Sequence, residues 1–568
     1  MLVSNPRLKG KVIGALVIFF ILLLLLRNSQ AIRSKYTNHG DDLNLAEAKP
    51  MIGNNMKADP SYEFWSKVFT IIKNNQPELT PEEIENAVQY IQVESNPSNR
   101  LTKDQLLAKA VVSDTAFKEF KLKHERLLKE LPDELSQATY KKGSKGVVII
   151  GGLKFSWLGY LSLKSLRATG STLPVEIIMP TYKDYENEAH FCLRILPKLG
   201  ARCVVVPDVF GPDVSLNWSF ATYQYKSLAL MVSSFQHVIL LDSDNVAVQD
   251  PEPIFNSEVY KKNGMITWPD YWPRVITPRF YDIAGVKVNE NKRVRFSNFN
   301  LLVSKSTSSN LNDEEKNQVP FHDLEGALPD VSTESGQLVI NKGTHGKTLL
   351  LSLYYNVCGP NLYYQLFSLG DPGEGDKDTF PAAALITNQP YYQINSGVRT
   401  FGYVDNSGKF QGVAIGQKDP IADYNYYEKK WFKTFKDDNQ NSDINAQIQY
   451  IEKNKNVPVT ERDGIPLFTV HCNFPKLDLE TLMSREDLYD IENNRLKYKF
   501  YGDYTYKRKV IQNGEKTTVD VNFELDIWQE IKTTLCDKKI KFAIYANADM
   551  DHVCSFLNNQ VNWLSSLQ

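Results

Sequence analysis

Asp242 and Asp244, one residue apart, close the apolar run Val238-Ile239-Leu240-Leu241. A carboxylate pair at a strand end can present two hard oxygen ligands to one small cation, Mg2+ or Mn2+, which can be shared with a diphosphate. Such a cation neutralises phosphate charge and acts as a Lewis acid on a departing group. The spacing by itself selects nothing, because Asp376-Lys377-Asp378 and Asp549-Met550-Asp551 repeat it. Context separates them: only the first triplet ends so apolar a run, and its alternative is a solvated strand-to-loop turn. Trp268-Pro269-Asp270-Tyr271-Trp272-Pro273 gathers aromatic faces around a carboxylate. Sugars stack their C–H faces on such rings, so Trp268, Asp270 and Trp272 are candidate substrate contacts, with a core-packing loop as the competing reading.

The elements that must position these groups follow from periodicity. Gly146 to Ile150 is a short apolar run ending at Gly151 and Gly152, as expected of a fully buried strand. Tyr160–Ala168 reads as a helix, Val175–Met179 as a strand, His190–Leu199 as a helix and Arg202–Val206 as a strand. Tyr223–Phe235 then predicts a helix leading into a strand over His237–Leu241. Strands alternating with helices imply an α/β fold with a mostly parallel sheet and right-handed crossovers. Ligands of such sheets bind beyond the carboxyl ends of the strands, which points to Gly151, Gly152 and Asp242. Leu338-Val339-Ile340-Asn341 is expected to end near the same mouth, where Glu334 and Gln337 could bind hydroxyls and the small Ser335-Gly336 pair would let backbone approach a ligand. Gly370 to Gly375 reads as a mobile loop carrying Asp376 and Asp378 over a cleft. One of those carboxylates could orient or deprotonate a hydroxyl, an acidic surface loop being the alternative.

Outside this region, Ser61 to Leu135 predicts helices, one opening at Thr80-Pro81-Glu82-Glu83 with a hydroxyl cap, an early proline and early acids. Beyond Asp478 the Tyr-rich segments predict strands or a hairpin, and Val553–Leu567 a final helix. The 568 residues carry a net charge of −2 and are 42% hydrophobic, a globular composition with no electrostatic basis for a nucleic-acid partner. Val12–Leu26 is wholly apolar and flanked by Arg7, Lys9, Lys11 and Arg27. As a helix it spans roughly 22 Å, short of a ~30 Å hydrocarbon core but extended by snorkelling basic residues. A signal anchor fits; a cleaved signal peptide competes, because Ser29-Gln30-Ala31 places small residues at the usual positions. Either reading sends the chain into the secretory pathway. The six cysteines leave their pairing open, and Asn217-Trp218-Ser219 is an N-glycosylation sequon.

Tyr225-Lys226-Ser227-Leu228-Ala229 through His237–Asp244 looks like the nucleotide-sugar half of a GT-A glycosyltransferase. Five ordered stretches, Leu241–Asn245, Thr267–Trp272, Glu334–Lys342, Gly375–Phe380 and His471–Phe474, extend the likeness. Together they resemble the fungal Golgi α-mannosyltransferases of the Mnn type, and within them the α-1,2 enzymes that branch the mannan outer chain. The resemblance implies a Rossmann-like GT-A domain at 141–568 with a C-terminal buttress, a partly helical lumenal stem at 27–140, a signal anchor at 12–26 and a cytosolic tail at 1–11. It implies a type II Golgi membrane enzyme that moves mannose from GDP-mannose to a mannan or N-glycan acceptor, with Mn2+ and retention of configuration. A complex with other mannosyltransferases is among the implied partners. Retaining GT-A enzymes with a similar late His…Lys element make His471 the third ligand beside Asp242 and Asp244, and set Lys476 on the diphosphate. A packed histidine is the competing reading. The same likeness turns Lys226 towards the nucleotide and makes Asp376 and Asp378 the acidic element that meets the donor sugar and acceptor hydroxyl; Glu334 joins them as a catalytic candidate and Gln337 as a substrate contact from their own position near the mouth. Addition in α-1,3 linkage and a non-catalytic lumenal glycan-binding protein remain the rival readings.

Overall fold

The computed structural model describes residues 60–567 apart from 95–98, 303–310, 374, 440–442, 456–463 and 513–514. The expected anchor at 12–26 lies outside the described residues, among which no helix is long and apolar enough to cross a membrane.

The chain lays down β1 (Lys141–Ile150), β2 (Val175–Met179), β3 (Ala201–Val205) and β4 (Phe235–Leu241), then β5 (Asn245–Ala247) and β6 (Met265–Pro269). Later come β7 (Thr333–Asn341), β8 (Tyr392–Gln393), β9 (Arg399–Val404), β10 (Phe410–Lys418) and β11 (Leu467–His471). Seven strands form the central sheet in the order β8-β6-β7-β4-β1-β2-β3. β4, β1, β2 and β3 pair in parallel, as do β8 and β6; β7 alone runs antiparallel to both neighbours. The fold is therefore α/β with a mostly parallel central sheet. A second sheet, β9-β10-β11-β5, is antiparallel throughout.

The helices that cover the central sheet include α1 (Pro60–Asn74), α2 (Asp114–Glu130), α3 (Lys154–Ala168), α4 (Gln224–Val232), α5 (Gly346–Val357), α6 (Phe523–Lys532) and α7 (Met550–Ser566). Because side chains alternate across a strand, a sheet buried on both sides builds two cores from one apolar run. Val147, Ile149, Ile239, Leu241 and Val339 pack with Trp157 of α3, Trp528 of α6 and Phe556 of α7. Val148, Val238, Leu240, Leu338 and Ile340 pack on the other face with Trp65 of α1, Phe120 of α2, Leu228 of α4 and Leu349 of α5. The helices expected as a stem thus supply part of one core, and the C-terminal helices supply part of the other. Burying each such Leu, Ile or Phe contributes roughly 1.5–3 kcal/mol.

Three expectations change. His190–Leu199 is a π-helical turn, Phe191–Ile195, followed by a 3-10 turn, Leu196–Leu199, rather than one helix. Pro197 has no N–H to continue the ladder, and the Cys192–Cys203 disulfide ties the turn to β3. β7 begins at the mouth of the sheet instead of ending there, because it is antiparallel. The expected mobile loop is anchored at Asp371, which is buried with Lys109 and pairs with it at 2.8 Å. The second disulfide is Cys536–Cys554, while Cys358 and Cys472 are buried thiols. The Tyr-rich C-terminal region does contain a hairpin, Thr505–Gln512 with Glu515–Asn522.

Candidate metal and diphosphate site

Helix α4 is apolar nearly all round, with Ser227 to Val232 buried, which locks it against the sheet. Its first turn thereby carries Lys226 to the strand ends. Lys226 Nζ stands 3.1 Å from Asp242 Oδ2 and 3.5 Å from Asp376 Oδ2, and donates to Ser335 Oγ at 2.7 Å. β4 ends at Leu241 and the chain turns at once, the Asn245 N–H donating to the Asp242 carbonyl at 3.0 Å. This turn throws β5 into the second sheet, where it pairs with β11 and sets Asn245 opposite His471. The register brings the imidazole beside Asp244, with Nε2 3.3 Å from Oδ1.

The other ring nitrogen, Nδ1, meets Glu334 Oε1 at 3.1 Å. Gly336 makes that contact possible, since a Cβ there would stand 2.7 Å from both atoms. Gln337 donates to Glu334 Oε2 at 2.9 Å and accepts from the Asn245 amide and the Thr469 hydroxyl, so the carboxylate facing His471 is itself held. Lys476 completes the cluster by donating to Asp244 Oδ2.

Ligand atoms of Asp242, Asp244 and His471 all lie within 4.8 Å of one another. Donors about 2.1 Å from a small divalent ion stand roughly 3–4 Å apart, so this donor set fits one such ion. The charges agree with the geometry. The carboxylates of Asp242, Asp244, Glu334 and Asp376 face the ammonium groups of Lys226 and Lys476, a surplus of two negative charges when His471 is neutral. A proton on His471 supplies part of the same compensation: burial alone would depress the imidazole, but Asp244 and Glu334 outweigh it and raise its pKa to about 10. Burial likewise works to raise Asp244 and is overcome by His471 and Lys476, which hold that carboxyl well below the usual range. Asp242 moves the other way, because burial raises it more than Lys226 lowers it.

Residues 144–419 match the family model described as "Mannosyltransferase putative". The chain is 46% identical over 600 residues to alpha-1,2-mannosyltransferase MNN23 of Candida albicans, covering 100% of this chain and 99% of that protein. The chain belongs to the fungal α-1,2-mannosyltransferases of the Mnn type. Alpha-1,2-mannosyltransferase MNN22 of Candida albicans is 42% identical over 522 residues, 89% of this chain and 85% of that protein. Alpha-1,2-mannosyltransferase MNN2 of Saccharomyces cerevisiae is 35% identical over 469 residues, 80% of this chain and 78% of that protein. This Mnn-type chain is accordingly a glycosyltransferase.

The remaining expected site residues of this Mnn-type glycosyltransferase divide. Asp376 joins the cluster, accepting from Ser335 Oγ at 3.0 Å beside Lys226, and burial raises its carboxyl against the pull of Lys226. Asp378 does not: it is buried against Arg274 Nη1 at 2.6 Å and takes the Thr333 N–H at 3.0 Å, a structural ion pair rather than a catalytic acid. The two carboxylates part because they lie on the 3-10 turn Gly375–Asp378, where positions two apart point about 240° around the axis. Trp268 is also corrected from substrate wall to core. It is fully buried, its indole N–H donates to the Lys418 carbonyl at 2.9 Å, and its ring stacks on Phe468 at 5.5 Å, between the two sheets. Asp270 and Trp272 stay partly exposed, and Asp270 pairs with Lys377 at 2.6 Å.

Gly151 and Gly152 answer to packing and backbone geometry: a Cβ on Gly151 would stand 2.7 Å from the Ile177 side chain, and Gly152 turns into α3 with φ +90°. In the third triplet Asp549 caps α7, accepting the N–H groups of Asp551 and His552. Asn217 is exposed at the end of the helix Val206–Asn217. Sequence reasoning passed over Arg274, because an arginine in a Pro-rich loop carries no sign of burial. It also passed over Phe155, whose ring lies 5.9 Å beneath the Lys476 ammonium.

Proposed function

We propose that this chain is a type II Golgi membrane enzyme with a GT-A catalytic domain. It transfers mannose from GDP-mannose, in α-1,2 linkage and with retention, to mannan outer-chain or N-glycan acceptors. The observation that carries the reading is the convergence of Asp242 and Asp244 from one turn and His471 from a strand more than 220 residues later onto one cation-sized set of ligand atoms, within a member of this family. Those three residues would hold Mn2+, which when bound supplies Lewis-acid stabilisation of the nucleotide diphosphate.

The chain's own groups then divide the work. Lys476, the more exposed of the two cluster lysines, moves from Asp244 to the diphosphate as a point charge. Lys226 and Ser335 hold Asp376 in place, so that its carboxylate orients hydroxyls of the donor sugar and acceptor. Glu334 fixes the orientation of the His471 ring through Nδ1 and leaves Nε2 for the metal. The leaving phosphate receives the acceptor proton on the front face.

The test is a donor screen of the purified full-length protein in detergent across GDP- and UDP-sugars, with Mn2+ and mannobiose, and NMR of the product linkage. Turnover of GDP-mannose to an α-1,2 product is expected. An enzyme that neither hydrolyses nor transfers from GDP-mannose would falsify the reading, and an α-1,3 product would overturn its linkage.

A further inference from the structure

We propose that the cavity between the Asn99–Lys109 segment, with Gln92 beside it, and the turns flanking β6 and β7 binds the far end of the acceptor, as a neutral mannose oligosaccharide several units from the hydroxyl that is extended. The inference rests on the transferase reading and adds to it a second place of contact.

The cavity, open to solvent on one side, has a volume of about 830 Å³. Sites of ~300–1,000 Å³ take drug-sized ligands, in heavy atoms roughly a di- or trisaccharide. Its wall offers the side chains that pair with sugar hydroxyls. Gln92, Asn99 and Gln318 bring planar amides, each donor and acceptor at once. Tyr271, 41% exposed, brings an aromatic face for sugar C–H groups. Asp330 lines the same cavity, nearly fully buried; its Oδ1 takes the Arg274 N–H at 2.6 Å, while Oδ2 has no hydrogen-bond partner among the described residues.

Charge selects the class of ligand. The cations on the wall are already neutralised, Arg100 by Asp323 at 2.9 Å and Lys109 by Asp371 at 2.8 Å. A phosphate or an acidic peptide would find no unpaired positive charge on these two, whereas a neutral polyol needs none. Position selects its role. Tyr271 follows the end of β6, and Asp330 precedes β7, whose Glu334 touches His471. Glu334 follows Asp330 by four positions, at most about 14 Å of chain. The Asp270–Lys377 pair further ties the Tyr271 turn to the turn bearing Asp376. A glycan whose end lies at Asp376 can therefore reach the cavity within a few sugar units.

The experiment measures acceptor KM with full-length enzyme, Mn2+ and GDP-mannose, using α-linked mannose oligosaccharides from mannobiose upward. In the wild type, KM is expected to fall as the acceptor lengthens. Gln92→Ala with Gln318→Ala, and separately Tyr271→Ala, should raise the long-acceptor KM about tenfold, the loss of one or two neutral hydrogen bonds, and flatten the length dependence. Tyr271→Phe, which keeps the ring, should retain it. Saturation-transfer NMR of the longest oligosaccharide, with GDP and no donor sugar, gives a readout free of turnover and should weaken in the same variants. A wild-type KM independent of acceptor length, or folded alanine variants with unchanged KM and NMR signal, would overturn the inference. Protein that turns over no GDP-mannose at all, while the oligosaccharide NMR signal persists and is lost in the variants, would remove the transferase reading instead.

Discussion

Gly336→Ala probes the support of the metal donors without replacing a donor. The glycine lies outside the positive-φ region, so alanine is compatible with the backbone and the whole effect comes from contact. The new Cβ would stand 2.7 Å from Glu334 Oε1, 2.7 Å from His471 Nδ1 and 2.8 Å from His471 Cε1. Restoring an ordinary 3.4 Å contact requires the ring or the carboxylate to give by roughly 0.7 Å. Neither is free to do so, because Asp244 lies 3.3 Å beyond the ring and Gln337 holds the far oxygen of Glu334 at 2.9 Å. Disturbing a partner of a metal-binding imidazole costs about 10–100-fold in affinity or activity, and a misplacement near 1 Å can cost about 10²-fold in rate. The expected result is a 10–100-fold weaker Mn2+ affinity by calorimetry and a matching loss of mannosyl transfer that added Mn2+ partly restores. Crowding of this size also costs about 1–3 kcal/mol of stability, read separately by urea denaturation. A folded variant with wild-type Mn2+ affinity and turnover would refute the assignment of Glu334 and Gly336 as the seat of His471.

Three further outcomes follow from individual contacts. Asp378→Ala strands the buried Arg274 guanidinium and should lower stability by ~3–5 kcal/mol in chemical denaturation; a fall in kcat at unchanged stability would return Asp378 to the reaction centre. Asp549→Ala removes the cap of α7 and should cost about 1 kcal/mol in the same assay while transfer is unaffected. His124, fully buried against the Tyr355 hydroxyl at 2.6 Å, has its pKa lowered by burial to about 4. The unfolded imidazole protonates near 6.5 and the folded one only near 4, so its contribution is intact above 6.5 and is lost as pH falls towards 4. Between pH 7.5 and 5 that share is about 2 kcal/mol; His124→Gln should shallow the acid limb of a stability–pH curve, and an identical limb in the variant would refute it.

Much of this architecture is local and therefore readable along the chain. Val238 to Leu241 is apolar at consecutive positions, as in a strand covered on both faces, and the strand–helix alternation around it put the acidic pair at its end near the sheet mouth. The repeated strand–helix alternation required a mostly parallel sheet. Thr80 and its early acids form the expected capping box, because a cap is made within four residues. What no local pattern contains is the partner across a long loop. Whether His471 faced Asp244 depended on β11 pairing with β5, a register between segments more than 220 residues apart. The same holds for Glu334, which reaches His471 because β7 runs antiparallel, and for Trp268, whose fate turned on a second sheet packing over it. Asp376 and Asp378 read alike in sequence and separate only because a 3-10 turn points one at Lys226 and the other at Arg274. The sequence alone determined that a closely spaced carboxylate pair ends a buried strand in a protein of this family. Tertiary structure alone decided which distant side chains complete that site, since their contacts are set by strand register and packing rather than by the residues beside them.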